Sequence, residues 1–370
     1  MDPKHNRHAS LIGTHILRTR RMRGMSQRAL AAKVGVSATA ISKYENGRIM
    51  PTSRVLGSFC TALDVRLEAL VRPPVVTGMK PVYFRLRDKV GAKEWASIDA
   101  HTRDWLERYL ITESILDVSG HPSTWADERS DAVYRMAEVE DAAMLLRQRW
   151  GLGEYPIANL TLVLEQHGVK IRRVVTEAEF EGCSFHAGTE SGGSCPVIAV
   201  VDQIHGDRQR FTLARELAHL WLDIGDDLDV ESAVNRFAAA LLVPKAVAVR
   251  ELGAKRPHGI PIGELHTLKH MYGMSMQAWV RRARELNIIN QRTYIDMMAM
   301  VTPEGHQGAE PGEPYAPETP LRFERLVGRA YSDRIISNGR ASELLGISRQ
   351  EFYDGYVKHD RVKSADGMRC

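Results

Sequence analysis

Two groups of residues in this 370-residue chain have types and spacing that could do chemistry. The first is Arg215-Glu216-Leu217-Ala218-His219, followed by Asp223, by Asp226, Asp227 and Asp229, and by Glu231. A carboxylate and an imidazole three positions apart share one helix face. Side chains of these types ligate metals and activate water, although Glu and His also meet at this spacing by chance on amphipathic helices. Arg215 has the opposite character, because a guanidinium stays protonated and has no lone pair for a metal. The second group lies between Ser26 and Pro51: Gln27, Arg28, Ala38, Thr39, Ser42, Lys43, Asn46 and Arg48. These are hydrogen-bonding, cationic or methyl-bearing side chains, suited to phosphates and base edges. The four cysteines (Cys60, Cys183, Cys195, Cys370) form no CxxC pair, which argues against a disulfide framework or an all-thiolate zinc site. His186 and His205 have no ligand-like spacing and read as loop or surface residues.

The elements that position the second group are legible from caps and turns. Ser26 caps a helix whose buried face is read at Ala29 and Leu30. Gly35 supplies a tight turn, Ser37 caps the next helix, and Ile41 and Tyr44 point inward. Gly47 and Pro51 end it. Two short helices joined by a glycine turn form a helix-turn-helix, whose second helix fits the major groove. The stretch SQRALAAKVGVSATAISKYENGRIMPT resembles the Xre (Cro/repressor) family. On that geometry Ala38, Thr39, Ser42 and Lys43 meet base edges, with Lys43 suited to guanine and Ala38 and Thr39 to thymine methyls. Gln27, Arg28, Asn46 and Arg48 meet phosphates and set the register. Such modules bind near-palindromic sites as two-fold pairs, so a homodimer on a double-stranded DNA operator is expected.

The first group gains meaning from its flanks. PIANLTLVLEQHGVKI and PVIAVVD precede it, Arg210-Phe211-Thr212-Leu213-Ala214 adjoins it, and Asn235-Arg236-Phe237-Ala238-Ala239 with Leu241-Leu242-Val243-Pro244 follow. Over roughly residues 140–300 the chain resembles the ImmA/IrrE metallopeptidase family, which occurs fused to Xre modules. That family has HExxH at its core. Two histidines at i and i+4 bind zinc, and the glutamate after the first acts as general base. The resemblance implies Glu216 as general base, His219 as second histidine ligand and Glu231 as third ligand. Arg215 stands where the first histidine belongs, which leaves two ligands where a catalytic zinc needs three and a water. Asp223, one turn past His219, could lend an oxygen, and Asp226, Asp227 and Asp229 are also near in sequence, so zinc stays open. The expectation is that no cofactor binds, that Arg215 forks to Glu231 in place of the metal, and that Glu216 is a vestigial base.

Composition sets the frame. Apolar residues make up 44% and charged residues 26%, as in ordinary globular proteins. The net charge of +4 conceals an asymmetry. Residues 1–73 hold 13 Lys and Arg against 4 Asp and Glu, whereas the remainder holds 37 against 42. A basic head on a mildly acidic body points to a polyanion. No apolar run approaches the ~18 residues of a membrane span, and MDPKHNRHAS lacks a signal-peptide core, so no membrane partner and a cytoplasmic location are expected.

The expected fold is α+β and predominantly helical. A five-helix DNA-binding domain spans 1–75 and a helical connector 76–140. A zincin-like domain with a small sheet spans 141–300, with strands at Val169–Val175 and Pro196–Asp202 and loop between Gly182 and Gly193. The Pro/Gly/Glu-rich segment 301–320 reads as a flexible linker, and 321–370 as a C-terminal helical unit. Within 265–289 a helical pair turns at Gly273, with Ser275 as cap. Ile336–Arg349 loosely echoes Ser26–Ser37 (cap, Leu pair, Gly, aliphatic, Ser) and resembles tails of antitoxin-type regulators. It reads equally as a small helix-turn-helix or as a hairpin for dimerisation or docking. Three functions are carried forward: a repressor acting as antitoxin with a cognate toxin partner, a zinc endopeptidase that cleaves a repressor, and a ligand-sensing metabolic regulator.

Overall fold

A computed structural model describes residues 3–72, 75–82, 90–118, 130–176, 180–189, 193–302 and 310–357. Five helices form the head: α1 (Pro3–Met22), α2 (Gln27–Val34), α3 (Ala38–Glu45), α4 (Ser53–Leu63) and α5 (Leu67–Val71). Ser26, Ser37 and Thr52 begin α2, α3 and α4, each accepting from the backbone N–H three residues on. That satisfies a donor the helix itself leaves unpaired. Ile12, Ile16, Leu30, Ile41, Phe59 and Leu63 close the core. Leu30 is buried as expected, but its buried neighbour is Ala31, and Ala29 is exposed. Gly47 has φ +65°, and a Cβ there would lie 2.6 Å from Ser10 Cα. A side chain at 47 would therefore both strain the backbone and push α1 away.

The body is built on a four-stranded sheet of order β1 (Val76–Pro81), β4 (Gly182–Thr189), β5 (Ser194–Val201), β3 (Lys170–Val174). Only the β3–β5 pair is parallel. The alternation of side chains along β5 sends Ile198 and Val200 into a core with Leu213, Leu217 and Phe237. It sends Val197 and Ala199 into another with Trp95, Trp105 and Tyr109. The sheet thus lies between α9 (Gly206–Trp221) on one face and α6 (Ala92–Ile115) on the other. Around it are α7 (Met136–Arg149), α8 (Leu160–Gln166), α10 (Val230–Leu242), α11 (Lys245–Leu252), α12 (Ile262–Tyr272), α13 (Met276–Glu285) and α14 (Gln291–Val301). A two-residue pair, β2 (Ala132–Val133) with β6 (Asp223–Ile224), is parallel. Three further helices, α15 (Arg322–Ser332), α16 (Asn338–Leu345) and α17 (Arg349–Phe352), close the described chain. The α+β, mainly helical architecture is as expected. Among the described residues no single helix is long and apolar enough to cross a membrane.

Three expectations are corrected. Gly182–Gly193, read as loop, contains β4, hydrogen-bonded on both sides. Its Gly-Cys-Ser-Phe-His-Ala-Gly-Thr run is poor in β-branched residues, but pairing and burial between two helical layers override propensity. The connector 76–140 is not purely helical, since β1 forms the sheet edge and α6 packs beneath the sheet. The flexible-linker reading of 301–320 fails for residues 310–320; residues 303–309 lie outside the described residues. Glu310 accepts from Met276 N and Gln277 N at 2.9 Å and pairs with Lys269. Glu318 accepts from Leu160 N at 3.0 Å and Thr161 N at 2.6 Å and pairs with buried Arg210. Each glutamate sits on the first turn of a helix, where unpaired N–H groups favour an anion.

An ionic seam joins head to body. Arg18 Nη1 lies 2.8 Å from Glu107 Oε1, and Arg72 reaches Asp104 and Glu107 of α6 at 3.2 and 3.3 Å. His15 Nδ1 accepts from Arg18 at 2.9 Å, so its Nε2–H donates to Arg72 O at 2.9 Å.

Candidate functional site

The outward face of α3 is open. Thr39, Lys43, Asn46 and Arg48 are exposed and Ser42 is half-buried, while Ala38 packs partly against the core. Lys43 and Arg48 form no ion pair among the described residues and can meet a polyanion. Arg28, on the first turn of α2, is exposed as well. Two of the polar residues also bond within the head. Gln27 Nε2 donates to Glu45 Oε2 at 2.7 Å, and Arg20 forks onto the same carboxylate, at 3.0 Å through Nη2. The Glu45 carboxylate thus ties α1, α2 and α3 together. Asn46 Nδ2 donates to Ser42 O at 2.8 Å, closing the end of α3. The Arg20–Glu45 clamp was not foreseen; a buried glutamate at the end of a short helix was its only sequence trace.

In the first group, Arg215 of α9 and Glu231 of α10 meet. Arg215 Nη2 lies 2.9 Å from Glu231 Oε2, the pairing expected of a cation standing in the metal's place. Glu216 and His219 point inward from the same helix and are buried. Ser184 of β4 donates to Glu216 Oε2 at 2.8 Å, and nothing in the sequence signalled this partner. Gly182 makes room for it, because a Cβ there would lie 2.7 Å from Thr212 and 3.6 Å from Glu216. Asp229 caps α10 by accepting from Ser232 N at 2.8 Å. Among the described residues no group of three His, Cys, Asp or Glu side chains could hold a metal ion. With Arg215 occupying Glu231, the residues present do not fit a catalytic zinc.

Burial pushes the Glu216 carboxyl up to about 7, against the pull of the Ser184 hydroxyl and Arg215. Burial and then Arg215 hold His219 down at about 4. The signs oppose. A carboxyl raised in the fold contributes stability at low pH that is lost as pH rises toward 7. An imidazole depressed in the fold contributes stability above its ordinary value of 6.5 that is lost as pH falls toward 4. Glu216→Gln should therefore gain on the wild type by about 3 kcal/mol between pH 4.5 and 7. Urea melts of both proteins across that range check it, and a pH-independent difference would show that Glu216 ionises normally.

Comparison with known proteins agrees with both halves. Residues 16–70 match a family described as Helix-turn-helix, and residues 164–284 one described as IrrE N-terminal-like domain. The chain joins an Xre-type helix-turn-helix to an ImmA/IrrE-like peptidase domain. The chain is similar to multiprotein-bridging factor 1 of Candida glabrata, with 43% identity over 57 residues, 15% of this chain and 38% of that protein. It is also similar to endothelial differentiation-related factor 1 of Rattus norvegicus, with 32% identity over 77 residues, 20% of this chain and 52% of that protein. The human protein of that name is 33% identical over 64 residues, 17% of this chain and 43% of that one. The chain thus spans about 38% to 52% of these relatives. The helix-turn-helix supports a DNA-binding transcriptional regulator.

The helical pair expected within 265–289 forms, and packing accounts for its buried arginine. Gly273 (φ +61°) turns α12 into α13, and Ser275 caps α13 by accepting from Ala278 N. Arg282 is fully buried, paired with Glu140 and donating to Val243 O at 3.1 Å.

Proposed function

We propose that the protein is a sequence-specific, homodimeric repressor whose peptidase-like domain works without metal, as a docking or sensing platform. Within that reading it acts as the antitoxin of a toxin–antitoxin pair, with the head on the operator and the body holding the toxin. The observation that carries the DNA-binding part is the exposed α3 face, with Lys43 outward and the helix clamped from behind by Arg20, Glu45 and Gln27. The Arg215–Glu231 pair is what disfavours the endopeptidase alternative, since a guanidinium cannot ligate zinc.

Lys43→Ala should weaken operator binding by about 1–3 kcal/mol if Lys43 reads a base. Mobility shifts on the protein's own promoter, run at several salt concentrations, check it, and affinity should fall steeply with salt. No shift at low salt would remove the regulator reading. Co-purification with the product of an adjacent gene would support the antitoxin part.

The ligand-sensing reading has one observation in its favour. A cavity of about 340 Å³ opens between α9, α10 and α13, lined by Phe211, Asn235, Arg236 and Arg281 among others. Arg236 and Arg282 are paired with Glu140 and Glu285, which leaves the exposed Arg281 for a small anion.

A further inference from the structure

The C-terminal helices repeat the geometry of the DNA-reading pair. Ser26 and Ser37 are eleven residues apart, and so are Ser337 and Ser348; all four cap helices by accepting a backbone N–H. The first helix of each pair has 8 residues, Gln27–Val34 and Asn338–Leu345. Each ends in a left-handed glycine: Gly35 at φ 78°, ψ 34° and Gly346 at φ 71°, ψ 31°. The bond that closes the turn is the same, Val36 N to Ala31 O and Ile347 N to Ser342 O, both 3.1 Å. Three buried positions correspond, Leu30 with Ala341, Ala31 with Ser342 and Ile41 with Phe352, whereas buried Leu344 falls on exposed Lys33. The two pairs thus share cap spacing, turn dihedrals and closing bond.

The surroundings leave the second helix of this pair available. α15 packs across it, with Tyr331 edge-on to Phe352 at 5.0 Å. On the side facing the body, Arg108 of α6 donates to Leu344 O at 2.6 Å. α17 runs on through a π-helical turn, Tyr353–Val357. In the shared register, the positions of Ala38, Thr39, Ser42 and Lys43 fall on Arg349, Gln350, Tyr353 and Asp354, all exposed. Arg and Gln pair bidentately with guanine and adenine edges in the major groove. Gln350 Nε2 donates to Asp354 Oδ2 at 3.0 Å, which orients the amide and leaves its oxygen and second N–H for a base.

We propose that α16 and α17 form a second DNA-reading helix-turn-helix, with Arg349 and Gln350 on base edges, so that one chain carries two unlike readers of double-stranded DNA. The inference shares its ligand class with the proposed function, but it rests on different residues. The test selects a random-sequence duplex library on the full chain. The wild type should enrich two unlike sequence elements. Arg349→Ala with Gln350→Ala should lose one element and bind the wild-type-selected duplex about tenfold or more weakly, whereas Lys43→Ala should lose the other. All three substituted side chains are exposed, and circular dichroism melts report that the fold is kept. If the double variant enriches the same elements with affinity within about twofold of the wild type, the proposal is overturned, and the surface is left to protein docking. If Lys43→Ala alone changes nothing, Lys43 does not read a base, whatever the C-terminal pair does. A wild-type chain that enriches no sequence overturns both.

Discussion

Glu318→Ala is expected to destabilise the protein by about 3–5 kcal/mol, a large share of the ~5–15 kcal/mol that holds a typical domain folded. Arg210 is 0% exposed and Glu318 carries its charge partner. Removing the carboxylate strands a guanidinium where water cannot reach it. It also strips the acceptor from two N–H groups that begin α8. Arg210 keeps hydrogen bonds to Ile157 O at 2.7 Å and Tyr272 O at 3.4 Å, so it stays in place, uncompensated. The expected readout is a lower urea midpoint with an unchanged slope. Glu318→Gln should fall in between, since it keeps an acceptor and loses the charge. An alanine variant within about 1 kcal/mol of the wild type would mean that residues 310–320 lie on the body without holding it.

Glu318 also shows what the sequence conceals. It lies in a run of Pro, Gly and Glu whose composition reads as flexible, and its partners are about a hundred and more positions away. Nothing local announces them. β4 was hidden for a related reason: glycines and serine hold a central strand because both neighbours and both covering helices are already there. Ser184 could not be placed beside Glu216 before that strand existed. The legible parts are those whose signal is short-range. Ser26, Gly35 and Ser37 fix two helices and the turn between them within twelve residues. The pairing of Arg215 with Glu231 spans only sixteen positions and follows from one substitution in a recognisable spacing. Gln27 marks the boundary. Its helix was placed correctly, but its donor goes to Glu45, a partner set by how α1 lies across the other two helices.

Arg215→His is expected to create a zinc site, the largest gain any single substitution here should give. The substitution puts two imidazoles at i and i+4 on the inner face of α9 and releases Glu231 from its 2.9 Å ion pair, restoring three protein ligands. A dissociation constant of about 1 μM or tighter corresponds to at least ~8 kcal/mol of binding. At a hundredfold excess over that constant, zinc should add about 2.7 kcal/mol to folding stability. The metal content of dialysed protein should approach one equivalent in the variant, and zinc should raise its melting temperature alone. The charge argument runs the same way at Glu216. In the wild type the lone guanidinium only partly offsets the burial that holds this carboxyl at about 7, whereas a nearby dication would favour its ionised form much more strongly. The wild type's zinc content decides the matter. Near one equivalent, lost on Glu231→Ala, it would show that Arg215 swings aside and that the site was never converted. A variant that stays metal-free would show instead that His219 and Glu231 are held too far apart to share an ion, so that more than one substitution separates this pocket from a zinc site.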